Sequence, residues 1–360
     1  MSTKYRGIIF EIEWNGPKVT TAIKKATVDW IFFFSLWKFD EKIINQKHTL
    51  PCFNEKKIWA VDGVIVALFS VVRAGEFVEQ YLAPLFVRAM GGCEFWNRKT
   101  VCMITGASQN FGRALAENMA SLLGPESVLI LTSRHASRLG VVRQGMYERN
   151  CRLHVHLLTW DLAKPNGDQY LDDLRAIQLA HGLRDEQFEL GLVVHNASTL
   201  NVLDKPVIEM RDEKILQETL NVNVVSMLVT NACFWSVFGQ CEQKLIVNMS
   251  APLAESTAPS FGMVGLGRSS RMTVLNVLAL ETPDVQVLHF NPGALDTSWL
   301  RTVIDHSHSQ EIRHQLQAMY EQNRVFKANE VALAFLRYLA ENEIQSGVEI
   351  DARQLIQRCC

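Results

Sequence analysis

Between residues 101 and 293 the chain repeats one rhythm: a short apolar run, a turn, then a segment long enough for an amphipathic helix. The apolar runs are VCMIT, VLILTSR, LHVHLLTWD, LGLVVHNAS, KLIVNMS and VQVLHFNPG. Helical patterns such as RALAENMASLL and ILQETLNVNVVSMLVTNACFWSVF lie between them. A strand reaches a parallel neighbour only through a crossover, so this alternation predicts βαβ units and a parallel sheet. Right-handed crossovers make that sheet doubly wound, with ligands at the carboxyl ends of its strands. Gly106, Arg134, Asp161, Asn196, Ser250 and Gly293 all fall at such ends. The expected fold class is therefore α/β, a doubly wound parallel sheet of Rossmann type.

The rhythm sets the domain plan as well. Residues 99–360 form the expected nucleotide-binding domain, and residues 1–98 an N-terminal extension without a motif. Two apolar runs in the extension bear on membranes. WIFFFSLW is too short to span a bilayer, and IWAVDGVIVALFSVV is interrupted by Asp62 and Gly63. A spanning helix needs about twenty predominantly apolar residues. Core packing or an interfacial contact is the reading these runs support, with a membrane-surface contact through 1–98 left open.

Formal net charge is −2, so no global field recruits nucleic acid. The 8 cysteines show no metal-type spacing and suit free thiols in a reducing compartment. The start lacks a basic region followed by an apolar core, which together with the thiols leads to a cytoplasmic expectation. No metal site is expected.

The first strand-to-helix turn, TGASQNFGRALA, carries Gly106 and Gly112. Glycines there let the backbone approach a pyrophosphate, which the free N–H groups of a helix N-terminus stabilise. This turn resembles that of the short-chain dehydrogenase/reductase family, T-G-x-x-x-G-x-G, with Asn110 at the middle glycine. Asn tolerates positive φ better than most residues bearing a Cβ. The resemblance implies NADP(H) as cofactor, with Ser108, Asn110 and Phe111 in the turn. Arg134 and His135 would face the adenosine 2′-phosphate, whose geometry a guanidinium matches. Trp160 and Asp161 would lie at the adenine, and Asn196 at the second Asn of N-N-A-G. His195 departs from that motif and reads as a packing residue.

Within the family, TGASxxFGR, N-x-x-SML, VLALE-x-P-x-V, PG-x-LDT and SG-x-x-x-D resemble the sepiapterin reductase branch, over roughly residues 99–352. That branch reduces a pterin carbonyl with NADPH, for tetrahydrobiopterin formation. A Tyr gives the proton, a Lys lowers its pKa and holds the ribose, and a Ser orients the carbonyl. Alignment on VLALE puts Val264 at the Tyr position, Arg268 at the Lys position and Ala251 at the Ser position. Asn223 alone remains of the usual four. Val264 has no proton to transfer, and Arg268 keeps its charge at neutral pH. Ser250 adjoins the Ser position, but strand neighbours point to opposite faces.

The resemblance also implies that Gly293, Leu295, Asp296 and Thr297 close over nicotinamide and substrate, with Ala251 and Val264 beside them. Asp351 would anchor the two-point N–H edge of a pterin. HQLQAMYEQNR and EVALAFLRYLAENE read as amphipathic helices, with Met319 and Tyr320 in core or interface. Family members commonly pair through long helices beside the site, so a homodimer, or a heterodimer with an active relative, is expected. Two readings stand: an active pterin carbonyl reductase with a non-standard proton donor, and a pseudoenzyme that binds NADP(H) or a pterin.

Overall fold

The computed structural model describes residues 58–61, 64–67, 93–181, 188–250 and 258–357. The chain forms two compact units, Met1–Ala74 and Gly75–Cys360. In the first, β1 (Ile58–Val61) and β2 (Val64–Ala67) pair antiparallel, with Val61 opposite Val64. The described part of the interrupted apolar run is thus two paired strands. WIFFFSLW lies outside the described residues.

The second unit opens with α1 (Cys93–Trp96), β3 (Thr100–Thr105), α2 (Asn110–Met119), β4 (Val128–Thr132), α3 (Ala136–Tyr147) and β5 (His154–Leu158). It continues with α4 (Gly167–Ala180), β6 (Leu190–His195), α5 (Glu213–Leu220), a π-helical turn at Asn221–Val225, α6 (Ser226–Phe238) and β7 (Gln243–Met249). Then come α7 (Gly262–Glu281), β8 (Val285–Asn291), α8 (Ser298–His306), α9 (Gln310–Glu321), α10 (Ala328–Glu341), β9 (Val348–Asp351) and α11 (Ala352–Gln357). Helix α1 lies just before residue 98, where the sequence divides. Trp96 is fully buried and its Nε1 donates to Leu336 O at 3.0 Å, which ties α1 into this unit.

Seven parallel strands run in the order β5-β4-β3-β6-β7-β8-β9. All six expected strands are present, and β9 is an addition: a half-buried edge strand of four residues has too few positions to show a period. Alternation within each strand divides the core. Cys102 and Ile104 face a layer holding residues of α2, α3 and α10, while Val101 and Met103 face α4 and α6. The helical run Glu213–Phe238 is long and apolar enough to cross a membrane by length and composition. Half of its most apolar window is buried, and Phe234 and Phe238 pack against β3 and α4 residues, as a core helix does.

Strand order reverses between β3 and β6, so a crevice opens beyond their carboxyl ends. The site lies there.

Candidate functional site

At the reversal point, Thr105 and Asn196 lock the two strand ends together. Asn196 N donates to Thr105 Oγ1 at 3.1 Å, and Asn196 Nδ2 donates to Thr105 O and Gly106 O at 3.0 and 3.1 Å. Gly106 sits at φ +68°, and a Cβ on Gly112 would stand 2.5 Å from both Asn196 Nδ2 and Gly106 O. Asn110 adopts φ 52°, and its Nδ2 donates to Ser298 Oγ at 3.0 Å. The residue before α2, Gln109, makes no side-chain cap, leaving the helix start open to an anion.

A cleft of about 570 Å³ runs from this turn across the strand ends. It brings together Gly106, Ser108, Asn110, Phe111, Arg134, His135, Trp160, Asn196, Arg268, Gly293, Leu295 and Thr297, all expected at the site. Arg134 and His135 are exposed on its wall. Trp160 is fixed by stacking on Tyr170, 3.7 Å between centroids, and by its Nε1 donating to Asp173 at 2.8 Å. Gly112, Asp161 and Asp296 stand outside the lining: Asp161 accepts from Ala163 N at 3.1 Å, and Asp296 pairs with Arg301 at 3.1 Å.

Three further expectations are displaced. Val264, 3% exposed, packs in an apolar cluster with Leu203, Phe261 and Val303, behind the cleft wall rather than on it. Asn223 is buried and faces Thr199, accepting from its N at 2.9 Å and donating to its O at 3.3 Å. Asp351 accepts from Asn291 Nδ2 at 2.7 Å and from Arg353 Nε and Nη2 at 2.8 and 2.6 Å. Burial pushes its carboxyl up, but the bonds from Arg353 and Asn291 outweigh this and hold it below the usual carboxylate range. Ala251 lies outside the described residues. His195 packs as expected, its Nε2 2.8 Å from Asn231 Oδ1, and burial lowers its pKa to about 3.

Arg268 is buried on the cleft wall and donates from Nη1 to Ser250 O at 3.1 Å, while its Nε has no partner. Burial lowers its pKa to about 10, opposed by Glu349 nearby, so it is a cation at neutral pH. Ser250 is 1% exposed, lines the cleft, and its Oγ is also unpartnered. Strand alternation argued against Ser250, but β7 ends at Met249 and the two-residue period no longer governs its direction.

Arg271 is the residue that sequence reading missed. Its guanidinium reaches Asn223 O through Nε, Ala197 O at 2.7 Å, and His195 O and Val222 O at 3.5 Å. The π-turn at Asn221–Val225 leaves carbonyls without ordinary helical partners, and Arg271 takes them up. Gly267 allows the approach, since a Cβ there would stand 2.9 Å from Asn223 Cβ. The signal was present as Arg268 and Arg271, three apart and so on one face of α7. Trp299, Met319, Arg324 and Arg353 also line the cleft, and Met319 is half-buried there.

A doubly wound sheet with a glycine turn and an open helix start at its switch point places the chain in the Rossmann-like α/β class. The short chain dehydrogenase family model matches residues 100–307. The chain belongs to the short-chain dehydrogenase/reductase family. It is 32% identical to sepiapterin reductase of Rattus norvegicus over 70% of this chain and 95% of that protein. Identity to sepiapterin reductase of Meriones unguiculatus is 31%, over 70% and 95% of the two chains. A short-chain dehydrogenase of Shigella flexneri, solved in complex with NADP, superposes with TM-score 0.57 at 17% identity, over 71% of this chain and 97% of that one. That likeness concerns the fold.

Proposed function

We propose that this chain is a sepiapterin-reductase-like protein that binds NADP(H) and lacks its relatives' proton donor. One observation carries the reading. The nucleotide half of the cleft is intact, while the Tyr position holds Val264, sealed in an apolar cluster. The uncapped start of α2 and the Gly106 turn suit a pyrophosphate, and Arg134 on the wall suits a 2′-phosphate. NADPH, when bound, supplies a hydride. The protein's part is to position it: Asn196 holds the turn, and Arg268 and Thr297 stand on the cleft wall. General acid catalysis is worth about 10²–10⁴-fold, and neither Val264 nor a charged Arg268 provides it.

Leu228 on α6 and Leu266, Val277 and Leu280 on α7 are exposed, which supports pairing of two chains, like or unlike, through these helices. Cytoplasmic placement accords with the free Cys102, Cys151, Cys233 and Cys241. A second reading, an active pterin carbonyl reductase, is favoured by the unpartnered Ser250 hydroxyl in the cleft. Titration of NADPH fluorescence, then NADPH consumption with sepiapterin on the same sample, separates them. Binding without turnover supports the first reading. Turnover at an ordinary reductase rate overturns it in favour of the second, and absence of NADPH binding overturns both.

A further inference from the structure

We propose that the substrate half of the cleft takes a ligand bearing a carboxylate or similar oxyanion, held by Arg268 and Ser250; this rests on the reading of the cleft as a ligand site. Two residues of the same wall each carry a buried donor without a partner: Ser250 Oγ, on a residue 1% exposed, and Arg268 Nε, on a residue 9% exposed. They belong to one unit, because Arg268 Nη1 donates to Ser250 O at 3.1 Å. Among the described residues no carboxylate pairs with Arg268 within ion-pair distance. Glu349 acts on it electrostatically from outside the cleft lining, and Arg271 adds a second positive charge beside it. Native proteins rarely leave buried donors unsatisfied, and an oxyanion would accept from both.

The charge of the surrounding wall points the same way. Among the described residues its charged lining is Arg134, Arg268, Arg324 and Arg353 against Glu218. A pterin would need the opposite: a free carboxylate for its N–H edge. Asp351 is taken, since Arg353 already makes the two-point guanidinium contact that an aminopyrimidinone would make, at 2.6 and 2.8 Å. Arg353 itself lines the cleft with its charge answered by Asp351, so the pairing removes a pterin anchor and leaves no free carboxylate there.

The test uses the full chain with and without saturating NADPH, titrated calorimetrically with benzoylformate, its methyl ester and sepiapterin. Benzoylformate is expected to bind at least tenfold more tightly than its ester and than sepiapterin. Ser250→Ala and Arg268→Gln, each checked for folding by circular dichroism, are expected to weaken benzoylformate at least tenfold, and Arg268→Lys to weaken it less. Equal affinity for acid and ester, or acid binding unchanged by both Ser250→Ala and Arg268→Gln, overturns the proposal. So does absence of acid binding in a protein that binds NADPH, an outcome that leaves the nucleotide reading standing. Acid binding without NADPH binding would uphold this inference and remove the other.

Discussion

A Cβ on Gly112 would stand 2.5 Å from Asn196 Nδ2, the same amide that clamps Thr105 and Gly106. Helix α2 thus meets the end of β6 at a distance only glycine permits. Gly112→Ala would force either the helix or the amide away. Overpacking of this kind costs about 1–3 kcal/mol, and the Gly106 turn moves with it. Thermal unfolding should fall by about 2–4 °C per kcal/mol, and NADPH fluorescence titration should show weaker binding. Unchanged NADPH affinity in the variant would separate the turn from the cofactor.

Arg271 is a buried cation answered by carbonyls rather than by a carboxylate. Burial lowers its pKa to about 9, and repulsion from Arg268 adds to this. Arg271→Met keeps the apolar stem but orphans the carbonyls of Ala197 and Asn223. Each buried unsatisfied group costs about 1–3 kcal/mol, so urea unfolding should show a loss of that order or twice it. Arg271→Lys, with one compact donor for several dispersed acceptors, should recover only part of it.

How much of this could be read in advance follows the range of each signal. The six strands and the helices between them were legible because each carries enough residues to show its period. Asn110 was read correctly as a tolerable substitute for glycine, and it does take positive φ. What escaped depends on pairing across the fold. Asp351 bonds Asn291, Arg271 serves carbonyls contributed by β6's end and the π-turn, and Val264 faces Val303 of α8. No local pattern encodes those meetings. Arg353, two residues from Asp351, showed no period that would mark it as its partner.

Arg353 gives a prediction of its own. Arg353→Ala leaves Asp351 with Asn291 as its side-chain partner, so the carboxylate becomes available on that side. Sepiapterin affinity, measured by calorimetry, should rise relative to the unmodified chain, and benzoylformate affinity should fall as the Asp351 carboxylate loses its counter-charge. A fall in both would mean that Arg353 shapes the wall sterically.

Acid should unfold the protein through its histidines. Burial lowers His195 to about 3, with Arg271 adding to it, and lowers His289 to about 4, against an ordinary value of 6.5. His156 goes to about 4 by burial, then by its neighbours His181 and His154. The unfolded chain therefore binds these protons first. Stability from the neutral rings is complete above pH 6.5 and is lost as pH falls from there toward 4 and then 3. At about pH 5.5, His195 and His289 should each contribute roughly 1 kcal/mol of loss. Urea midpoints measured across this range check the slope, which His289→Asn should reduce.

The sharpest prediction tests the proposed lack of a proton donor. Ala251→Ser, Val264→Tyr and Arg268→Lys together return the side chains used by the family's reductases. Val264 is walled in by Leu203, Phe261 and Val303, so a tyrosine ring there overpacks the cluster by about 1–3 kcal/mol. Phe261 lines the cleft as well as touching Val264, so a displaced Phe261 gives the new hydroxyl its way in. The triple variant should unfold at a lower temperature yet consume NADPH with sepiapterin about 10²–10⁴-fold faster than the unmodified chain. A folded, NADPH-binding triple variant that stays inert would mean that the apolar cluster keeps the ring out of the cleft. Adding Phe261→Ala should then release activity if packing alone is the barrier. If it does not, the pterin pocket itself is gone, as the pairing of Asp351 with Arg353 implies.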